Sequence, residues 1–146
     1  MMVSHKVTVF EDGVGIEDGK LLAVDTGLHV GLALFDAHGH LLGVRGVYTD
    51  RDPEPLVDAV TEFALSVDRI VVENVTTTGW NGRRVLDHLM PYFYQTQAEV
   101  SLQLPSCKAT FVPRAKELTR CWNLGPHRPH INDAVAHGLY WSWKHV

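Results

Sequence analysis

The chain has 146 residues, a formal net charge of −4, 45% hydrophobic residues and 21% charged ones, which fits one domain burying roughly two thirds of its unfolded surface without staples. No apolar run approaches the roughly 20 residues that span a bilayer, and the N-terminus has no basic segment followed by an apolar stretch, so no membrane anchor or secretion signal is expected and the protein is placed in the cytoplasm. Cys107 and Cys121 are too few for a disulfide framework, and with His127 and His130 they lack the Cys-x-x-Cys knuckle of a zinc site.

Residues 1–19 read as an N-terminal extension or edge hairpin: Val3, Val7 and Val9 alternate, and Glu11-Asp12-Gly13 and Glu17-Asp18-Gly19 carry turn chemistry. Residues 20–146 read as one domain. Leu21 to Asp25 is a buried strand, and with Val30 to Ala37 and Leu41 to Tyr48, joined through His38-Gly39-His40, it predicts a three-stranded antiparallel meander. Asp52 caps a helix with Pro53 in its first turn, and Leu56, Val57, Val60, Phe63, Ala64 and Val67 share one face of a 3.6-residue period. The apolar run from Arg69 to Asn74 follows as a strand. Strand, helix, strand makes a right-handed crossover, which places Glu73 parallel and adjacent to the first strand, so that Asp25 and Glu73 share one end of the sheet.

Residues 83–98 carry a helical face through Val85, Leu86, Leu89, Met90 and Phe93, with Pro91 expected to kink or split it. A short strand near 100–104, or else 109–112, precedes a helix from about Pro113 to Trp122, which Gly125 ends. The last helix begins at Pro129 and buries Val135, Ala136, Leu139, Tyr140 and Trp143. His130 and Asp133, three apart, lie on one face near its N-terminus.

Charge is segregated along the chain. Residues 1–79 carry 5 Lys and Arg against 13 Asp and Glu, a balance of −8, whereas residues 80–146 carry 8 against 4, a balance of +4. Arg83, Arg84, Lys108, Arg114, Lys116, Arg120 and Arg128 are candidates for a phosphate-facing surface, or else ordinary solvated side chains.

Asp25, Glu73 and Asp133 each sit where a nuclease of the metal-dependent kind keeps an acid. A carboxylate at the end of a buried strand is costly to desolvate unless a cation meets it, and magnesium or manganese, which prefer hard oxygen ligands, would remove that cost. Taken singly, each has a plainer account: Asp25 as a turn-former before Gly27, Glu73 as an ion-pair partner, Asp133 as a helix cap.

The order of these elements, with Val-Asp25-Thr-Gly27, Val-Val-Glu73-Asn and Arg128-Pro-His130-Ile-Asn-Asp133-Ala134 at their junctions, resembles the ribonuclease H-like superfamily, and within it the RuvC-type Holliday junction resolvases, over residues 20–146. The resemblance implies an α/β fold, a mixed five-stranded sheet of antiparallel meander plus parallel strands with helices on both faces. It implies two Mg2+ or Mn2+ ions held by Asp25, Glu73, His130 and Asp133, with Asp25 bridging them, and hydrolysis that leaves 5′-phosphate and 3′-hydroxyl ends. His130 is either a ligand or a proton shuttle; His127, His137 and His145 are expected at the surface or in packing. It further implies branched DNA as substrate and a two-fold dimer to cut both opposed strands, for which the helix with Met90, Tyr92, Phe93 and Tyr94 is the candidate interface. Trp80, Arg83, Arg84, Lys108, Arg114 and Lys116 are the DNA-contact candidates, Trp80 either stacking on an unpaired base or covering core.

Three alternatives stand beside this reading. Another nuclease of the same fold would cut RNA in hybrids or join DNA as a recombinase. A non-catalytic binding domain would need no metal. The sugar-kinase and chaperone ATPase fold also opens with Asp-x-Gly, but it needs two such domains to enclose its nucleotide, so length argues against it.

Overall fold

A computed structural model describes residues 6–48, 53–74 and 84–146. The expected helix cap Asp52 lies outside the described residues. Strands β1 (Lys6–Phe10), β2 (Leu21–Asp25), β3 (His29–Phe35), β4 (Leu41–Tyr48), β5 (Arg69–Glu73) and β6 (Glu99–Gln103) form one sheet in the order β1-β4-β3-β2-β5-β6. The meander β2-β3-β4 is antiparallel, and β5 and β6 are parallel to β2 and to each other, so the mixed sheet is the expected one. β1 adds a sixth strand, antiparallel to β4 at its edge.

Helices α1 (Pro53–Phe63) and α2 (Val85–Tyr94) cover one face; α3 (Val112–Leu118) and α4 (Arg128–His145) cover the other. Alternation along each strand divides the side chains between these two layers. Leu22, Val24, Ile70 and Val72 pack with Phe63, Leu86, Leu89 and Phe93 on the first face. Leu21, Ala23 and Val71 pack with Ile131, Ala134 and Val135 on the second. Each large side chain taken wholly out of water contributes roughly 1.5–3 kcal/mol. The same parity assigns Asp25, two beyond Ala23, and Glu73, two beyond Val71, to the α4 face.

Close approaches at two glycines let the start of α4 lie down on that face. Gly31 is paired with both Asp25 and Gly46. A Cβ on Gly31 would come within 2.0 Å of the His130 carbonyl oxygen, and one on Gly46 within 2.4 Å of the His127 Cβ. Bare backbone at these two neighbouring positions is what the start of α4 rests on.

Several local readings shift. α2 ends at Tyr94, short of residue 98, where the Thr96 hydroxyl bonds the Phe93 carbonyl at 2.6 Å; it runs on past Pro91 instead of splitting there. α3 stops at Leu118 rather than Trp122, and a 3-10 segment, Pro105–Phe111, precedes it. Trp143, expected in the core, is 68% exposed, because at that end of α4 it is Trp141 and Ser142 that meet the sheet, beside Leu21 and Arg69.

Candidate metal centre

Asp25 and Glu73 end adjacent parallel strands that are in register, Val24 opposite Val72. Their side chains therefore emerge side by side beneath α4, 3% and 7% exposed. Asp133 and His130 project from the first turns of α4, His130 Nδ1 lying 3.3 Å from Asp25 Oδ2. The His29 ring stacks on His130 with centroids 5.1 Å apart and planes 6° from parallel. All four residues expected to form the site are thus in one place.

A fifth joins them. Lys108, on the 3-10 segment after β6, does not face phosphate from the surface as its charge suggested. Its ammonium instead donates to Glu73 Oε1 at 2.7 Å and to Asp133 Oδ2 at 3.1 Å, and lies 4.0 Å from Asp25 Oδ1. Acids from three separate elements meet on one cation.

The electrostatics follow from burial and from who donates to whom. Burial, reinforced by the nearby Glu73 charge and only partly offset by His130, pushes the Asp25 carboxyl up to about 7. Burial alone would raise Glu73 too, but hydrogen bonds from His137 and Lys108 outweigh it and hold that carboxyl well below its ordinary value. Lys108 loses solvent, yet its hydrogen bond to Glu73 and the three carboxylate charges keep it more firmly protonated than a free lysine. Toward the acid side of neutral pH one acid is therefore largely neutral and one ionised, with the ammonium between them.

Among the described residues, no three His, Cys, Asp or Glu side chains already close a cation cage; Lys108 holds the point on which the acids converge. The donor set nevertheless fits a hard divalent cation, since it consists of carboxylate oxygens that a positive charge already gathers. Asp25, Glu73 and Asp133 would hold it, with Lys108 yielding. The zinc grouping is not assembled: Cys121 is exposed, while His127 is buried under Gly46.

Sequence reading missed two buried partners. His137, expected in packing or at the surface, is fully buried with Nε2 3.0 Å from Glu73 Oε1, and Gln103 Nε2 lies 3.0 Å from its Nδ1. Both had a signal. Residues 130, 133 and 137 fall on one helical face, and Gln103 is the register partner of Glu73 across β5 and β6.

The basic candidates are less concentrated. Arg114 and Lys116 are exposed on α3, Arg114 pairing with Glu117 at 3.2 Å. Arg84 is exposed immediately before α2; Trp80 and Arg83 lie outside the described residues. Arg128 is not a free phosphate ligand: its guanidinium donates to the Thr119 carbonyl at 3.1 Å and to that of Trp122, satisfying carbonyls left open where α3 ends. Lys116, Arg120 and Arg128 line a cleft of about 950 Å3 between α3 and α4, with Asp133 at its edge.

No protein-family model and no curated protein matches the chain by sequence. Among solved structures it is similar to RuvC of Thermus thermophilus, with a TM-score of 0.55 and 15% identity over 82% of this chain and 91% of that one. T. thermophilus RuvC in complex with a Holliday junction substrate gives a TM-score of 0.59 at 15% identity, over 85% of this chain and 93% of that one. The fold is RuvC-like and ribonuclease H-like. No helix among the described residues is long and apolar enough to cross a membrane.

Proposed function

We propose that this RuvC-like fold works as a divalent-metal-dependent endodeoxyribonuclease that resolves four-way DNA junctions. The observation that carries the reading is the convergence of Asp25, Glu73 and Asp133, from two strands and a helix, within 4.0 Å of one ammonium group. Three acids gathered in a partly buried place need positive charge, and a site that must receive an anionic phosphodiester gains by taking that charge as metal. The chemistry that a pair of Mg2+ or Mn2+ ions supplies when bound is activation of water and stabilisation of the leaving 3′ oxygen.

The chain's own residues supply the rest. Asp25, Glu73 and Asp133 provide oxygen ligands. His130, with its side chain 37% exposed and its Nδ1 against Asp25, is placed to hold a ligand position or pass a proton to solvent. Lys116 and Arg120 beside Asp133 line a path for the adjoining backbone phosphates, with Arg84, Arg114 and the loop holding Trp80 and Arg83 as further contacts. The likeness to a protein solved in complex with a Holliday junction supports branched DNA as substrate.

A junction has two-fold symmetry, so paired incisions call for two copies of this site. On α2, Val85, Leu86, Leu89 and Phe93 are buried in the core, while Tyr92 and Tyr94 remain 38% and 67% exposed and are offered as part of a homodimer contact. The test is incubation with a four-way junction, an RNA–DNA hybrid and linear duplex, each with and without Mg2+. Magnesium-dependent nicking of the junction in preference to the others is expected, and is lost in Asp25→Asn and Glu73→Gln while junction binding persists. Undiminished cutting by either variant would overturn the reading.

A further inference from the structure

Gln103 and His137 are buried polar groups beside Glu73, 8% and 0% exposed, and no step above uses them. Their hydrogen bonds determine one another. The Gln103 amide group that lies 3.2 Å from the His137 carbonyl oxygen must be its NH2, because that oxygen can only accept. The same nitrogen lies 3.0 Å from His137 Nδ1, so Nδ1 accepts and carries no proton. The imidazole proton is then on Nε2, which donates to Glu73 Oε1 at 3.0 Å. Lys108 donates to the same oxygen, so both N–H donors hold Glu73 by Oε1.

We infer that Gln103 and His137 are positioning residues: the Gln103 amide locks His137 as its Nε2–H tautomer, and that N–H clamps Glu73 Oε1 in the orientation in which the carboxylate meets a divalent cation. The inference rests on the metal-centre reading of the site. Its physical sense is that pairing with Gln103 across β5 and β6 fixes the Glu73 main chain but leaves the rotamer of its carboxylate to be set by side-chain partners. Orientation has to come from below, out of β6 and α4. Partners of this kind behind a ligating group typically change metal affinity by about 10–100-fold when removed.

The tautomer is read directly in the metal-free protein from two-bond proton–nitrogen correlations of 15N-labelled histidine. His137, identified by the resonance that disappears in His137→Gln, is expected as Nε2–H with Nδ1 unprotonated, and Gln103→Leu is expected to abolish that preference. Calorimetric titration with Mn2+ should show affinity about 10–100-fold weaker in His137→Leu and Gln103→Leu, with most of the loss recovered in His137→Gln, whose amide can return an N–H to the same place. Junction cleavage at saturating DNA should follow the same order, in kcat rather than KM. The proposal is overturned if wild-type His137 is the Nδ1–H tautomer. It is equally overturned if the Leu variants bind Mn2+ like wild type while Asp25→Asn does not. Wild-type affinity in Asp25→Asn as well would overturn the metal reading beneath it.

Discussion

Gly31 lies so close beneath His130 that a single added methyl carbon would sit 2.0 Å from the His130 carbonyl oxygen. Because Gly31 is also the register partner of Asp25, the contact that seats α4 on the sheet is the one that brings His130 and Asp133 to the strand-end carboxylates. Gly31→Ala should therefore lift the first turn of α4. We expect a stability loss of about 1–3 kcal/mol, the usual range for overpacking, together with loss of divalent-cation affinity. Denaturant unfolding and Mn2+ titration of the same preparation check both; an unchanged affinity would separate the seat of the helix from the site.

Lys108 gives a second prediction. Its ammonium is the cation that three acids share, and removing one partner of a part-buried ionic cluster leaves the others uncompensated. Lys108→Met should lower the stability of metal-free protein by roughly 2–4 kcal/mol. It should also enlarge the rise in Tm that Mn2+ produces, because the ion no longer displaces a resident charge. Thermal scans with chelator and with Mn2+ test this, and a smaller Mn2+ effect in the variant would count against competition for the same place.

The pH dependence of stability follows from the opposed carboxyls. Below its ordinary pKa of 3.8, Asp25 is neutral folded or unfolded and the fold carries no desolvation cost; above about 7 it is ionised in both states and the cost is complete. Metal-free protein should therefore lose stability as pH rises from about 4 to 7. Glu73 acts in the other direction and in a lower window: its contribution is present above its ordinary value and is lost as pH falls toward the depressed one. Melting in chelator from pH 4.5 to 8 should show the Asp25 slope, and Asp25→Asn should remove it. A divalent cation, which favours the ionised carboxyl, should release protons on binding at neutral pH, seen as a dependence of the binding heat on buffer ionisation.

DNA affinity should report the cleft between α3 and α4. Lys116→Ala with Arg120→Ala is expected to weaken junction binding and reduce the slope of log affinity against log salt by about 2, close to one for each phosphate that is no longer neutralised. An unchanged slope would place the DNA elsewhere.

Much of this site was legible along the chain because two short-range rules reach a long way. Alternation in strands and the 3.6-residue repeat in helices assign each side chain to a face, and the handedness of a crossover assigns neighbours to a strand. From these, Asp25 and Glu73 follow as companions at one sheet end, and His130 and Asp133 as companions on one helix face. What no periodicity could supply is where a long side chain points once several elements have packed. Lys108 turned inward to the acids and Arg128 turned to the carbonyls at the end of α3, since flexible cations settle on whatever acceptors the assembled layers leave open. His137 and Gln103 carried a faint pattern in sequence, but their pairing with Glu73 needed β5, β6 and α4 brought together first. Direction within an element is a local property of the backbone; a hydrogen-bond partner drawn from another element is a property of the packed whole.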